Sequence, residues 1–237
     1  MRLDKFFSAA GLLTRSQCSK AARAGLITVD GIVVKDPSFS VDPEKNIVAY
    51  KGETVTYSRF IYIMMNKPSG YVCSNDEPNE KNVFELLGDR YARSDLFTVG
   101  RLDKDTTGLL IITNDGKTAH DVLSPRHHVD KTYEYTLAEE LSEQDRIRLE
   151  NGIELKDGYT TKPCRIIPTD EKSGRIVLSE GKYHQIKRMF GAVSNRVETL
   201  ERVSFGSLKL DGTLARGQWR LMTDEEITGL KSAKTEN

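Results

Sequence analysis

One carboxylate and a handful of other side chains could do chemistry in this chain. Asp103 lies in GRLDKDTTGLL at 100–110, between an extended segment (LFTV) and an apolar run (GLLIIT), with Gly100 and Gly108 flanking it. Glycines there let the backbone bend sharply and let a substrate approach closely. An ionised aspartate so placed can act as a nucleophile, although an RLD tripeptide alone equally marks a structural salt bridge. Thr106 and Thr107 offer hydroxyls to hold the loop or a phosphate, and Arg101 could brace it. Tyr133 stands beside Tyr135 in the alternating segment KTYEYTL, where a lone tyrosine is ordinarily core. Lys187 and Arg188 share a short helical stretch with His184, ordinarily a solvated or phosphate-facing surface.

Other chemistries lack support. His127 and His128 are neighbours, which in a strand point to opposite faces. His120 and His184 have no metal-like spacing with cysteine or acid partners, so no metal site is expected. There is no G-x-S-x-G elbow, no GxxxxGKS phosphate loop and no GxGxxG fingerprint. The three cysteines, Cys18, Cys73 and Cys164, are odd in number and far apart, which predicts a reducing compartment. No apolar run approaches membrane-spanning length, and the charged first residues lack a signal-peptide core. A cytoplasmic location is expected.

The elements that must position these groups follow from periodicity. Leu3, Phe6, Phe7 and Ala10 make an amphipathic helix stopped by Gly11. Thr14 and Gln17 form a capping-box pattern for a second helix that Gly25 ends. ITVDGIVV reads as a hairpin around Asp30-Gly31. From Phe60 onward, strands are expected at RFIYIMMNK, GLLIIT, KTYEYTL, CRII, RIVLS and VETLERVSFGSLKL. Helices are expected at KTAHDVLS, at 143–150 behind a Ser142 cap, and at EGKYHQIKRMFGAV. With no regular βαβ alternation, this pattern predicts an α+β fold: a small helix-helix-hairpin module followed by a domain on a mostly antiparallel sheet. The boundaries read are 1–45 for the module, 46–59 for an end strand and linker, 60–230 for the second domain, and 231–237 for a tail.

The formal net charge of the 237 residues is zero, so partner chemistry must be read from where charge lies. Residues 1–25 carry Arg2, Lys5, Arg15, Lys20 and Arg23 against the single acid Asp4. A basic module on a balanced chain is the footprint of a phosphate-binding arm.

Residues 1–45 resemble the small RNA-binding module first recognised in ribosomal protein S-four. The resemblance implies that Arg2, Lys5, Thr14, Arg15, Lys20 and Arg23 face RNA. GRLDKDTTGLL resembles the catalytic motif of the RsuA-type ribosomal RNA pseudouridine synthases. NKPSGYVCS, SPRHHVDKTYEYTL and EGKYHQIKRMF match three further family blocks in order, so the resemblance spans essentially the whole chain. It implies that Asp103 is the catalytic carboxylate, Tyr133 the active-site tyrosine and Lys187 the basic partner, supported by Arg101, Thr106 and Arg188. The partner is Lys rather than Arg, which removes the forked pairing geometry. The second and third blocks look most like the small-subunit branch. The implied substrate is a uridine of small-subunit ribosomal RNA, free or in an assembly particle, handled by a monomer. A large-subunit synthase, or a non-catalytic RNA-binding assembly factor keeping the fold, are the alternatives. The implied isomerisation gains no atom and involves no redox change, so no cofactor is expected.

Overall fold

The computed structural model describes residues 1–233 apart from 56, 58, 59, 75–78, 89, 90, 92–94 and 125–128. The chain divides into two compact units, Met1–Ile61 with Leu87–Ser94, and Tyr62–Leu86 with Asp95–Asn237.

In the first unit, α1 (Leu3–Ala9) and α2 (Arg15–Arg23) lie where the apolar spacing puts them. Both halves of the capping box form. The Thr14 hydroxyl accepts from the Gln17 N–H at 3.2 Å, and the Thr14 N–H donates to the Gln17 side chain at 2.8 Å. Strands β1 (Ile27–Val29) and β2 (Ile32–Val33) pair across a turn in which Asp30 and Gly31 both have positive φ, 51° and 79°. That is the primed-turn geometry an Asp-Gly pair favours. Residues 46–59 carry two strands, β3 (Val48–Tyr50) and β4 (Glu53–Thr54), and β3 pairs with β1, so the sheet order is β2-β1-β3-β4. Leu3, Phe6, Phe7, Cys18, Ile27 and Val48 are buried together as the core of this unit. Lys5, Arg15, Lys20 and Arg23 are left on its surface.

The second unit is built on a nine-stranded sheet. Its strands are β5 (Tyr62–Lys67), β6 (Phe97–Thr98), β7 (Thr107–Thr113), β8 (Lys131–Leu137), β9 (Arg165–Pro168), β10 (Ser173–Leu178), β11 (Val197–Phe205), β12 (Leu208–Lys209) and β13 (Trp219–Leu221). The main path runs β13-β5-β7-β11-β8-β10-β9, with β6 on β7 and β12 on β11. The described pairings are antiparallel except β7 with β11, which is parallel. Helices α3 (Gly116–Leu123), α4 (Glu143–Glu150), α5 (Gln185–Ala192) and α6 (Asp224–Ser232) complete the unit. Helix α6 takes in Lys231 and Ser232, which the sequence places in a tail. A Thr223–Glu226 capping box starts this helix, and Leu230 is fully buried in it.

Register decides which side chains share a face. Lys67 is opposite Gly108, Gly108 opposite Arg202, and Arg202 opposite Tyr133. Directly paired residues point to the same side of a sheet, so Lys67, Arg202 and Tyr133 stand in one row on one face. A bulge in β11 between Arg202 and Ser204 changes the register, so that Phe205 pairs with Lys131. Three positions apart in a regular strand would send Arg202 and Phe205 to opposite faces. The bulge puts both beside Tyr133 and Lys131.

Candidate active site

The loop carrying Asp103 leads directly into β7 and is held from beneath by Lys67. The Lys67 ammonium, fully buried, donates to the carbonyls of Asp103 (3.0 Å), Lys104 (3.2 Å), Thr106 (2.8 Å) and Pro68 (3.2 Å). The Gly70 N–H donates to the Lys104 carbonyl at 2.8 Å, and the Thr106 N–H closes back on the Asp103 carbonyl at 3.1 Å. The Leu102 N–H reaches the Cys73 sulfur at 3.4 Å. Burial pushes the Lys67 ammonium down to about 8, partly opposed by Cys73, Asp105 and Asp103. The NKPSG segment is therefore more than a turn. Its lysine fixes the backbone on which the aspartate sits, a role that the Pro-Ser-Gly turn signal does not reveal.

Helix α5 supplies the opposite wall. Lys187 Nζ lies 3.3 Å from Asp103 Oδ2 and also pairs with Asp105. Burial raises the Asp105 carboxyl, but the Lys187 hydrogen bond and charge outweigh it, and the net shift is downward. His184 Nε2 lies 3.5 Å from Asp103 Oδ1. Its backbone is left-handed, with φ 48°, and its ring stacks on Tyr183 at 3.9 Å. A histidine at positive φ is uncommon and marks a locally strained turn. Gln185 braces that turn by accepting the Lys182 N–H at 2.9 Å and donating to Glu180. Neither His184 nor Asp105 stands out by residue type, because only the approach of α5 to the loop brings them to Asp103.

The remaining residues fall into place unevenly. Tyr133 is buried and lines a hollow of about 80 Å³ with Asp103, Thr106, His184, Lys187 and Arg101. Thr106 is 2% exposed, and its hydroxyl has no hydrogen-bond partner among the described residues. Arg188 does not reach Asp103. Its guanidinium pairs with Asp157 at 2.6 Å and donates to the Tyr183 carbonyl at 3.3 Å, because Lys187 already occupies the side of α5 that faces the loop. In the amino-terminal unit Arg2 is forked onto Asp4, with bonds of 3.1 and 2.8 Å, and the Thr14 hydroxyl serves as a helix cap. Lys5, Arg15, Lys20 and Arg23 are exposed. His127 and His128 lie outside the described residues. Among the described residues no cluster of three His, Cys, Asp or Glu side chains could hold a metal ion.

The array is a carboxylate on a rigid loop, a cation beside it and a tyrosine in the same hollow. It can hold a flat base while the aspartate works on the bond that base makes. The profile of the RNA pseudouridylate synthase family matches residues 61–192, and that of the S4 domain matches residues 1–47. An uncharacterized RNA pseudouridine synthase of Bacillus subtilis is 42% identical over 231 residues, covering 96% of this chain and 97% of the relative. The ribosomal small subunit pseudouridine synthase A of Escherichia coli is 40% identical over 232 residues, covering 97% of this chain and 100% of the relative. A crystal structure of a pseudouridylate synthase superposes with a TM-score of 0.69 at 38% identity, covering 97% of this chain and 99% of that one. The chain belongs to the RNA pseudouridylate synthase family and carries an S4 domain at its amino end.

Proposed function

We propose that this protein isomerises one uridine of small-subunit ribosomal RNA to pseudouridine, with Asp103 as the catalytic carboxylate. The observation that carries this reading is the pairing of Asp103 with Lys187 at 3.3 Å in a hollow that Tyr133 lines. The similarity over nearly full length to a ribosomal small subunit pseudouridine synthase supports the choice of RNA.

The reaction breaks the bond between the sugar's anomeric carbon and a ring nitrogen, turns the base, and rejoins it through a ring carbon. That carbon gives up a proton and the freed nitrogen takes one, so atoms and electrons balance without a cofactor. Asp103 supplies the carboxylate that engages the nucleotide. Lys187 fixes its orientation and balances its charge, and Tyr133 stacks on the flipped base, recovering part of the cost of unstacking it. Arg101 and Thr106 line the approach. The exposed cations of the amino-terminal unit grip RNA phosphates, and the protein works in the cytoplasm as a monomer.

Mapping pseudouridines in both ribosomal RNAs, from cells lacking the protein and cells given it back, tests the assignment. One position in small-subunit RNA should lose and regain the modification. A position in large-subunit RNA that does so instead contradicts the substrate named here.

A further inference from the structure

Beyond Tyr133 the site continues into a second, larger hollow of about 280 Å³. The two hollows share Arg101, Tyr133, Gly181 and Lys182. Two cations, Lys131 and Arg202, line the deeper one, and both are almost wholly buried, at 8% and 2% exposure. Neither forms an ion pair among the described residues. Lys131 donates to the carbonyls of Val129 (2.7 Å) and Ser179 (3.5 Å). Arg202 donates through Nε to the Leu109 carbonyl at 2.8 Å, while its buried Nη2 has no partner among the described residues. Both cations sit over the Phe205 ring, at 5.3 and 5.5 Å. The acid lining this hollow, Glu180, is engaged by the Tyr159 hydroxyl, the Lys162 N–H and the Gln185 amide.

Two desolvated cations with no acid in ion-pair contact among the described residues, and an unused N–H, form a poor resting arrangement. They become favourable when negative charge arrives. Burial, with Arg202 adding to it and Asp130 and Glu180 partly opposing it, pushes Lys131 down to about 8. Depth selects the source of that charge. RNA phosphates follow the outside of a protein surface, and Lys162 and Lys182 line the same hollow for them. A flipped base is the part of the nucleotide that reaches inward, and Tyr133 and Phe205 give it aromatic walls. We infer that Lys131 and Arg202 form a subsite that stabilises the uracil ring as an anion while it is detached from the sugar.

The charge balance is direct. When the glycosidic bond breaks, its electron pair stays with the ring and spreads over the nitrogen and the two ring oxygens. This holds whichever atom Asp103 engages. Arg202 and Lys131 already hold positive charge in the wall of the hollow where that negative charge develops, as preorganised groups do at other developing anions. Rejoining through the ring carbon returns the pair to a bond. The ring carbon loses a proton and the nitrogen gains one.

The inference rests on the proposed isomerisation, and its test separates the two. Single-turnover conversion is measured for the wild-type chain, Lys131→Met, Arg202→Met and Arg202→Lys on RNA bearing uridine or 5-fluorouridine at the target. RNA affinity and thermal unfolding are measured on the same samples. With 5-fluorouridine the readout is loss of the substrate nucleoside, because fluorine blocks the final proton loss. Lys131→Met should slow uridine conversion by roughly 100-fold, the scale for losing one preorganised donor, with RNA affinity within about twofold. The loss should be much smaller on 5-fluorouridine, whose ring already stabilises the anion, and Arg202→Lys should recover most of what Arg202→Met loses. If Arg202→Met does not fold, Lys131→Met and Arg202→Lys still decide the outcome. Unchanged rates, an equal loss on both bases, or a loss of affinity with a shallower salt dependence (the mark of a phosphate-binding role) would overturn the inference. A wild-type chain that makes no pseudouridine overturns the function itself, whereas an active chain indifferent to Lys131 overturns only this subsite.

Discussion

At the scale of the residue, the account separates two adjacent cations that composition treats alike. Lys187 faces Asp103, whereas Arg188 is turned to Asp157. Replacing Lys187 by Met should lower the isomerisation rate roughly 100-fold, the scale of removing one charge-stabilising group. Replacing Arg188 by Ala should cost less than about fivefold, since a partly exposed ion pair contributes about 1 kcal/mol or less. Equal losses in steady-state assays would contradict the assignment. Lys67 gives a pH signature. Its folded-state value of about 8 lies below the ordinary 10.5, so between these values the unfolded chain binds more protons and stability rises with pH. Over the same rise the ammonium becomes an amine with one donor fewer, and its hold on the Asp103 loop weakens. Activity should therefore fall as pH climbs past about 8 while the melting temperature does not, and parallel loss of both would refute the loop-anchoring role. That Asp103, Tyr133 and Lys187 would lie together was legible in the sequence because short motifs mark them. Lys67, Asp105 and His184 were not, because what they touch lies far along the chain.

At the scale of the element, Gly108 carries more than a flexible turn. It sits at φ 98° opposite Arg202 in the parallel pair, and a Cβ there would stand 2.3 Å from the Arg202 carbonyl oxygen. Gly108→Ala should cost about 3–5 kcal/mol, combining backbone strain with a clash that neither strand can relieve. At roughly 2–4 °C per kcal/mol, thermal unfolding should shift by on the order of 10 °C, and a shift within measurement error would show the approach to be loose. The sequence assigns this glycine to loop bending or substrate approach. The close passage of β11 is a non-local fact that no local pattern encodes. Local signals did serve where they suffice: the Thr14–Gln17 box, the Asp30-Gly31 turn and the Ser142 cap that opens α4 appear as their residue types require. The bulge after Arg202 and the helix running through Ser232 depend on tertiary packing, and α6 owes its place to the buried Leu230.

At the scale of the whole molecule, zero net charge hides a division of labour. The exposed Arg15, Lys20 and Arg23 of the first unit are proposed to supply grip, and the loop around Asp103 chemistry. Replacing the three cations together by Ala should reduce the slope of log affinity against log salt by about 2–3, near one for each phosphate no longer neutralised. Single-turnover conversion at saturating RNA should be unchanged. A salt dependence equal to wild type would remove RNA phosphates from the account of this surface. An amino-terminal S4 domain followed by an α+β synthase domain was readable from where charge and motifs lie, whereas the parallel pairing at the centre of the sheet was not. The central claim is that Asp103 performs the chemistry, and Asp103→Asn tests it most directly. That variant, nearly equal in size and lacking the carboxylate charge, should bind the ribosomal RNA within about twofold of wild type and form no detectable pseudouridine in a single turnover. Conversion at the wild-type rate by a folded Asp103→Asn protein would contradict the account.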